Sequence, residues 1–430
     1  MEYIFLTKQH VGAPCEPIVR VMSLVKRGQM IARKPEGALG SPIYSSVCGI
    51  VKSVDEDRIV IDEQETDFNH YKPLTGTTPE ELIEESGLVG LGGAGFPTSV
   101  KLNVKFEKEG TVIVNAAECE PILSHNIARI EKEPEKLLRG LAIVMEVTGA
   151  RKGIIAIKGI HKEAIEELER VNQSEQVSVF PLENIYPMGE ERAIVRETLG
   201  ILLEPDQLPM AADAVVINAE TVYRIREAVE DKKPLIDKDM TVAGKLMANA
   251  SIHVLFDVPL GIKVSEVLEE AGGVGPEYGE LIMGGPFTGK RTSFNAPVVK
   301  TTGGIIAAEI FLPGPEKIGL LVCACGADKE RLEEQAKSMG SEIVGVEYCK
   351  QAREVKTARK CENPGRCPGQ VQKVMALKKA GAQGLLISNC TDCSNTVMSC
   401  APQLKLSVYH CTDGAMRSVN YKMIRRFRKE

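Results

Sequence analysis

A glycine run constrains this chain more than any other stretch. Residues 87–98 read Gly-Leu-Val-Gly-Leu-Gly-Gly-Ala-Gly-Phe-Pro-Thr, and a lysine follows at Lys101. Glycine adopts positive φ freely and lets a ligand approach the backbone, but it loses more conformational entropy on folding than other residues. Such a dense run predicts a loop that wraps a phosphate or a flat cofactor with backbone N–H groups. No Gly-Lys-Ser/Thr follows, and the segment before the run has a helical pattern, so neither a Walker A loop nor a dinucleotide fingerprint fits.

Composition restricts the classes of function. With 430 residues the chain is long enough for two to four domains. A net charge of −6, 4% aromatic residues and no tryptophan argue against nucleic-acid binding. No apolar run approaches the roughly 20 residues of a membrane helix, and the N-terminus lacks a signal-peptide pattern. We expect a cytoplasmic protein without a membrane span, and peripheral membrane association remains open.

The cysteines are unevenly distributed. The chain has 12 cysteines, and nine of them follow Pro315. Disulfides are rare in cytosolic proteins, so the clustering does not indicate a disulfide framework. Cysteines gathered in one segment indicate a metal site, a cluster or redox chemistry.

Four units are predicted along a mixed α/β chain. Residues 1–70 contain short β-prone runs and resemble a biotinyl/lipoyl-type barrel-sandwich hybrid. Carrier versions have a modified lysine on a hairpin turn, where this chain has Tyr44-Ser45-Ser46, so we interpret the unit as structural. In residues 71–240, strands alternate with helices, which predicts a Rossmann-like parallel sheet covered by helices.

The remaining units differ in pattern. Residues 241–312 contain one helix among short strands, which suggests a β-grasp domain of the soluble-ligand-binding type. Leu312-Pro313-Gly314-Pro315 is a linker. Residues 316–430 form a second, Cys-rich α/β unit, whose cysteines follow predicted strands, where open α/β sheets place their ligands. The basic stretch Arg417–Lys429 is interpreted as a solvated helix end.

Three later motifs make the glycine run specific. They read Asn115-Ala-Ala-Glu118-Cys-Glu120-Pro, Tyr186-Pro-Met-Gly-Glu-Glu191 and Asn218-Ala-Glu-Thr221. Together with the glycine run and Lys101 they resemble the flavin- and NADH-binding subunit family shared by complex I and the Rnf complex. The resemblance is closest to the Rnf C-type subunit and covers about residues 12–310. One departure is Ser124-His125-Asn126, where the Rnf subunits usually carry an acidic pair.

The resemblance implies a site for FMN and NADH. The backbone N–H groups and Lys101 suit the FMN phosphate, and Asn115 and Asn218 suit the ribityl chain or the isoalloxazine edge. Glu118 and Glu120 suit ribose hydroxyls or a nicotinamide carboxamide. The residues implied as cofactor-binding are Gly90, Gly92, Gly93, Ala94, Gly95, Phe96, Lys101, Asn115, Glu118, Glu120, Tyr186, Gly189, Glu190, Glu191, Asn218 and Thr221.

The C-terminal cysteines do not follow the Rnf C pattern. Rnf C subunits carry repeated Cys-x-x-Cys runs for 4Fe–4S clusters, which are absent here. The segment from Cys361 to Cys393 resembles instead the delta subunit of methyl-viologen-reducing hydrogenase, a 2Fe–2S carrier. The combination resembles the proline reductase-associated electron-transfer protein family. The predicted metal ligands are Cys323, Cys367, Cys390 and Cys393, with Cys325 and Cys361 as further candidates.

The same cysteines fit two other kinds of site. Cys390–Cys393 or Cys323–Cys325 would also suit a redox dithiol, and four thiolates would suit zinc. We expect an NADH-dependent FMN oxidoreductase that passes electrons through the cysteines to a partner reductase, which the resemblance identifies as D-proline reductase. The alternatives are a non-catalytic zinc- or ligand-binding scaffold or sensor, and an Rnf-type respiratory subunit.

Overall fold

A computed structural model describes residues 1–356 and 358–424 of the chain. Within these residues the strands form six sheets. The basic residues Arg425, Arg426, Arg428 and Lys429 of the predicted helix end lie outside the described residues. None of the helices in the described ranges is both long enough and apolar enough to cross a membrane.

The N-terminal unit is built from antiparallel strands. A four-stranded sheet has the order β1-β7-β6-β3, and a three-stranded sheet has the order β2-β4-β5. Tyr44, Ser45 and Ser46 are buried, as expected for a structural unit rather than an exposed carrier turn. The strands are β1 (Glu2–Leu6), β2 (Glu16–Pro17), β3 (Leu24–Val25), β4 (Met30–Arg33), β5 (Ile43–Tyr44), β6 (Gly49–Val54) and β7 (Arg58–Glu63).

The second unit begins with a helix that leads into the glycine run. Thr78 caps this helix, and Glu81 completes a capping box, as the sequence predicts. Two helices, at 98–102 and 125–132, were not predicted from the sequence. The elements are α1 (Pro79–Glu85), α2 (Thr98–Leu102), β8 (Thr111–Ala116), α3 (His125–Lys132), α4 (Pro134–Thr148), β9 (Lys152–Lys158), α5 (Lys162–Val171), β10 (Val177–Leu182), α6 (Glu191–Leu199), β11 (Ala214–Asn218) and α7 (Ala219–Glu230).

The sheet of this unit positions the site. Its four strands are parallel and lie in the order β10-β9-β8-β11. The chain adds β9 and β10 on one side of β8 and then adds β11 on the other side, so the strand order switches between β8 and β11. Asn115 and Asn218, at the ends of these two strands, are register partners. Open α/β sheets bind ligands in the crevice outside the carboxyl ends of strands at such a switch point.

A five-stranded mixed sheet follows, in the order β13-β12-β16-β14-β15. Its first strand starts at Asp237, ahead of the predicted boundary at 240, and is buried along its whole length. Buried ion pairs join it to the second unit: Asp239 contacts Arg129 at 2.7 Å and Arg224 at 2.8 Å. The elements are β12 (Asp237–Gly244), β13 (Ile252–Pro259), α8 (Val264–Glu270), β14 (Tyr278–Met283), β15 (Lys290–Thr292) and β16 (Gly304–Glu309).

The last unit contains a second parallel sheet, in the order β18-β17-β21-β22. Cys349, Cys323, Cys390 and Cys411 come just after these strands in turn, at one edge of the sheet. The elements are β17 (Lys317–Val322), α9 (Lys329–Ser338), β18 (Glu342–Tyr348), the hairpin β19 (Ala352–Val355) and β20 (Ala358–Cys361), α10 (Val371–Lys379), β21 (Gly384–Ile387), α11 (Thr391–Cys400), β22 (Ser407–His410) and α12 (Asp413–Ser418).

Candidate functional site

A cleft of about 410 Å³ lies at the carboxyl ends of β8 and β11. Its volume is in the range of small-molecule and cofactor sites. Twelve of the 16 residues predicted to bind the cofactor line it, and these are Gly90, Gly92, Gly93, Ala94, Lys101, Asn115, Glu118, Glu120, Gly189, Glu190, Glu191 and Asn218.

The glycine run forms a loop that is closed by its own backbone hydrogen bonds. The N–H of Gly90 donates to the carbonyl of Phe96 at 2.9 Å, and that of Gly95 donates to the carbonyl of Gly90 at 2.9 Å. Gly93 has φ near +100°, and a Cβ there would meet no atom within 4 Å. Backbone at this point therefore borders open space in the cleft, as a loop that wraps a ligand requires.

Close packing holds the loop against the fourth motif. A Cβ at Gly92 would lie 2.9 Å from Nδ2 of Asn218. Asn218 caps α7 by accepting from the N–H of Thr221 at 3.2 Å, and the Thr221 hydroxyl accepts from the N–H of Leu91 at 3.0 Å. The short approach explains why a glycine stands at position 92.

The second and third motifs are joined through Asn115. Its Nδ2 donates to the carbonyl of Gly189 at 2.9 Å. Glu190 caps α6 by accepting from the N–H groups of Arg192 and Ala193, and it pairs with the Arg192 guanidinium at 3.0 Å. At the same rim the ammonium of Lys101 contacts the carboxylate of Glu191. This side of the cleft therefore carries both positively and negatively charged side chains next to the glycine run.

The two acids of the second motif have different surroundings. Glu118, with φ near +39°, accepts from the N–H of Asn126 at 2.8 Å. Both carboxylate oxygens of Glu120 are engaged: they accept from the N–H groups of Phe287 at 2.7 Å and Thr288 at 2.9 Å. Burial raises the pKa of Glu120 above its usual value. Glu120 thus anchors the loop of the five-stranded sheet to the cleft wall.

Four predicted cofactor residues do not line the cleft, namely Gly95, Phe96, Tyr186 and Thr221. Tyr186 lies instead at the junction with the Cys-rich unit. Its ring stacks on Phe287 with centroids 3.6 Å apart, its hydroxyl donates to the carbonyl of Cys325, and its N–H donates to the Thr391 hydroxyl at 3.0 Å. Burial raises the pKa of the Tyr186 phenol well above its usual value.

Residues outside the predicted set also line the cleft, some of them from other units. Asn126 comes from α3, Gly284 and Thr301 from the region of the five-stranded sheet, and Lys360 from the β19–β20 hairpin. Asn126 belongs to the Ser124-His125-Asn126 stretch that departs from the Rnf C pattern, whereas tertiary packing brings Thr301 and Lys360 to the cleft.

The second part of the site is a group of thiols. Cys323, Cys390 and Cys393 are all buried, and their sulfur atoms all lie within 4.8 Å of one another. Cys367 adjoins them, because Nε2 of Gln370 contacts the sulfur atoms of both Cys367 and Cys393. We call these four residues the four-cysteine group, and they are the four predicted first as metal ligands.

Polar N–H groups surround these sulfurs. Gln370 Nε2 lies 3.3 Å from Sγ of Cys367 and 3.7 Å from Sγ of Cys393, and the N–H of Gly369 donates to Cys367 at 3.4 Å. Hydrogen bonds from Cys393 and then Gln370 lower the pKa of Cys367 to about 6. Hydrogen bonds to ligand sulfurs are a means by which proteins tune iron–sulfur centres.

Three further cysteines adjoin the group. Hydrogen bonds with Cys325, Cys349, Cys390 and Cys393 hold the pKa of Cys323 well below its usual value. Cys325 is in turn hydrogen-bonded to Cys361. Cys349 has no motif spacing and was not predicted, although it follows a strand of the same sheet.

Comparisons with known proteins agree with this arrangement. Residues 83–227 match the Nuo51 FMN-binding domain family, and residues 1–68 match the RnfC barrel-sandwich hybrid domain. The C subunit of the Na(+)-translocating ferredoxin:NAD(+) oxidoreductase complex of Acetobacterium woodii is 31% identical over 318 residues, 69% of this chain and 71% of that protein. The chain belongs to the Rnf C subunit family.

Two more relatives extend the comparison. The C subunit of the proton-translocating ferredoxin:NAD(+) oxidoreductase complex of Clostridium ljungdahlii is 30% identical over 70% of this chain and 69% of that protein. The cobalamin reductase PduS of Citrobacter freundii is 37% identical over 230 residues, 53% of this chain and 49% of that protein. Two of these three relatives are thus named as subunits of oxidoreductase complexes, and the third is named as a reductase.

Proposed function

We propose that this chain is an electron-transfer flavoprotein. In this proposal the cleft would hold FMN and bind NADH, and the C-terminal cysteines would carry electrons to a partner reductase. The observation that carries the proposal is the convergence of four separated motifs on one cleft, the third of which also contacts the Cys-rich unit through Tyr186. Bound FMN would supply the step between a two-electron donor and one-electron acceptors, which side chains lack.

The residues of the cleft fit FMN. The open backbone at Gly93 and the Lys101 ammonium would hold the phosphate, and Asn218 and Asn115 would orient the ribityl chain and the ring. Glu118 would be the acid that binds NADH, because the oxygens of Glu120 are already engaged by backbone N–H groups. The β-grasp domain, formed by the five-stranded sheet, would cover the cleft from the side of Gly284 and Thr301.

The donor set of the four-cysteine group fits an iron–sulfur centre. Four thiols with N–H groups directed at two of their sulfurs are the ligand type and surroundings of a 2Fe–2S cluster. Zinc accepts four thiolates equally well, so the metal identity is part of the proposal. For the partner we keep D-proline reductase as a prediction that rests on resemblance alone.

A second candidate is a role inside an Rnf-type complex. Identity of about one third to the Rnf C subunits favours it. In that case the electron partner is another subunit of a membrane-associated assembly. Co-purification of the tagged chain with Rnf subunits would support this role, and co-purification with a separate reductase would support the first.

The test is anoxic purification of the full chain followed by cofactor analysis. We expect one FMN per chain, iron and sulfide at the cysteines, and bleaching of the flavin absorption by NADH. The Lys101→Met variant should bind FMN more weakly than the wild type does. Its matched control is Lys290→Met, which changes an exposed lysine outside the cleft and should leave FMN binding unchanged. A colourless protein with stoichiometric zinc and no response to NADH would establish the scaffold alternative instead.

A further inference from the structure

Two basic residues that line the cleft have no role in the proposed function so far, Arg192 of α6 and Lys360 of the β19–β20 hairpin. Nη2 of Arg192 donates at 2.7 Å to the carbonyl of Cys361, the residue that follows Lys360. The two basic residues therefore lie on the same side of the cleft. The second unit supplies one of them and the Cys-rich unit supplies the other.

The guanidinium of Arg192 is fixed in position but is not fully hydrogen-bonded. Arg192 is only 3% exposed. Its Nε pairs with Glu190 at 3.0 Å and its Nη2 is bonded to the Cys361 carbonyl, whereas Nη1 is buried without a hydrogen-bond partner in the described part of the chain. Buried polar groups are nearly always hydrogen-bonded. An acceptor atom of a ligand in the cleft would satisfy Nη1.

Lys360 differs from the arginines of its own hairpin. Arg353 contacts the carboxylate of Glu362. Arg359 contacts the carboxylate of Glu354. No carboxylate within residues 1–356 and 358–424 forms such a pair with Lys360, which lies directly opposite Arg353 in the hairpin register. Like charges that face each other across two strands are destabilising, so an anion on this face would stabilise the hairpin.

The acids of the cleft are engaged elsewhere. Two of them accept from backbone N–H groups of neighbouring loops, and one contacts Lys101. The fourth caps α6 and pairs with Nε of Arg192, which leaves Nη1 free of it. The four acids that line the cleft are Glu118, Glu120, Glu190 and Glu191. Positive charge on the hairpin side of the cleft is therefore left for a ligand.

The chemistry of this pair suits a phosphate group. Guanidinium and ammonium groups bind phosphate oxygens through charge-assisted hydrogen bonds, and the fork of an arginine suits two oxygens at once. The single phosphate of FMN is already assigned to the glycine run and Lys101. The other proposed ligand of the cleft, NADH, carries two more phosphates in its pyrophosphate group.

We propose that Arg192 and Lys360 form a subsite for the pyrophosphate group of NADH. This rests on the proposed function, because NADH is the donor in that proposal. The Cys-rich unit then has a second role besides its cysteines, since its hairpin completes the dinucleotide site. Lys360 binds the nucleotide directly, and Arg192 binds it with the one N–H group that the protein leaves unpaired.

Binding of ADP-ribose to the full-length, FMN-loaded protein tests the subsite without any redox step. ADP-ribose carries the same pyrophosphate as NADH but no nicotinamide. Loss of a hydrogen bond between charged groups weakens binding by about tenfold or more, so Lys360→Met should raise the Kd for ADP-ribose by about that factor in calorimetric titration. Lys360→Arg keeps the charge and should bind nearly as the wild type does.

Two further variants complete this test. Lys350→Met changes an exposed lysine that precedes the hairpin and does not line the cleft, so its Kd should equal that of the wild type. Arg192→Lys keeps a charge beside Glu190 but loses Nη1, and it should also weaken ADP-ribose binding at unchanged FMN content. If Arg192→Lys loses FMN, Lys360→Met decides. Equal affinity of Lys360→Met and the wild type for ADP-ribose, or no binding to the wild type, would overturn the proposal.

Hydride donors with and without phosphate separate the subsite from a general defect. The Lys360→Met variant should show a KM for NADH about tenfold higher at unchanged kcat. Its rate with 1-benzyl-1,4-dihydronicotinamide, which has no phosphate, should equal that of the wild type. Equal losses with both donors would mean that the change disturbs the flavin position instead, and would contradict the proposal.

The same measurements distinguish failure of the subsite from failure of the proposed function. If NADH bleaches the flavin of the wild type and of Lys360→Met with the same KM, the function stands and the subsite fails. If neither donor bleaches the wild-type flavin, the proposed function fails, and the ADP-ribose titration still decides whether Lys360 binds a pyrophosphate.

Discussion

The proposed flavin cleft and the four-cysteine group are built differently. The cleft uses backbone and short motifs at the carboxyl ends of β8 and β11, and each motif is held by the next through hydrogen bonds such as Asn115 to Gly189. The four-cysteine group uses side chains from separate elements spread over residues 323–393. The cleft therefore depends on close backbone packing, such as that of Gly92 against Asn218, whereas the four-cysteine group depends on its individual side chains.

The largest effect is expected at the four-cysteine group. Cys393→Ser removes a thiol that contacts Cys323, Cys367 and Cys390. Loss of a residue that only supports a metal ligand costs about 10–100-fold in metal affinity, so loss of a ligand should reduce bound iron by more than about tenfold. FMN content should be unchanged. Elemental analysis and flavin release measure both quantities.

The control for this change lies on the same helix. Cys400→Ser alters a cysteine of α11 whose thiol donates to the Val397 carbonyl at 3.4 Å, outside the thiol network. It should keep both iron and FMN. Full iron retention in Cys393→Ser, or a parallel loss of FMN, would remove the distinction between the two regions.

A smaller effect is expected from Gly92→Ala in the cleft. The new Cβ would lie 2.9 Å from Nδ2 of Asn218 and displace the residue that caps α7. Losing a polar contact costs about 1–3 kcal/mol, so FMN should bind about tenfold more weakly or worse. Iron content should stay at the wild-type level. Fluorescence titration of the FMN-free protein with FMN measures the change.

Gly159→Ala is the matched glycine control. Its Cβ would meet its nearest atom, Cβ of Pro181, at 3.6 Å, an ordinary contact outside the cleft. FMN affinity should be unaffected. Equal affinity of the Gly92→Ala variant and the wild type would show that the close approach of loop and Asn218 does not shape the flavin site.

The free energy of unfolding is expected to depend on pH through Lys300, a buried lysine that contacts the start of the glycine run. The buried Lys300 amine contacts the carbonyls of Pro42 and Gly87 at 2.7 Å each, and burial lowers its pKa to about 7. Between this value and the ordinary lysine pKa of 10.5, the unfolded chain binds more protons than the folded chain does. The free energy of unfolding therefore rises with pH across that window. Below the folded pKa the cost of burying the charge is constant.

Lys300→Met should remove this contribution. The difference in unfolding free energy between wild type and variant should shift in favour of wild type by on the order of a few kcal/mol between about pH 7 and about pH 10. Urea unfolding measures it. Lys290→Met, at an exposed lysine, should give a difference that does not change with pH. Parallel curves for the wild type and Lys300→Met would contradict the assignment.

The cleft is more predictable from the sequence than the cysteines for a physical reason. Strand ends and caps are local, so Thr78, Asn115 and Asn218 could be placed from pattern alone. Tyr186 was assigned to the cofactor with its motif, but its ring packs at the junction with the last unit. That position depends on contacts with residues more than 100 positions away.

Cysteine roles are less predictable because they depend on tertiary packing. Helix α11 and the β19–β20 hairpin, neither of them predicted, position Cys393 and Cys361, and Cys349 lies in no motif. The Cys-x-x-Cys spacing of 390 and 393 suggested a dithiol as readily as a ligand pair. In the structure both belong, with Cys323, to a set of three sulfur atoms that lie within 4.8 Å of one another.

The central claim is that electrons cross from the cleft to the cysteines. The most direct measurement is an anoxic NADH titration of the full chain, followed by flavin absorbance and by electron paramagnetic resonance. The account predicts flavin bleaching together with the signal of a reduced 2Fe–2S centre, and a flavin response without that signal in Cys393→Ser. Flavin bleaching in the wild type with the iron centre remaining oxidised would contradict the account.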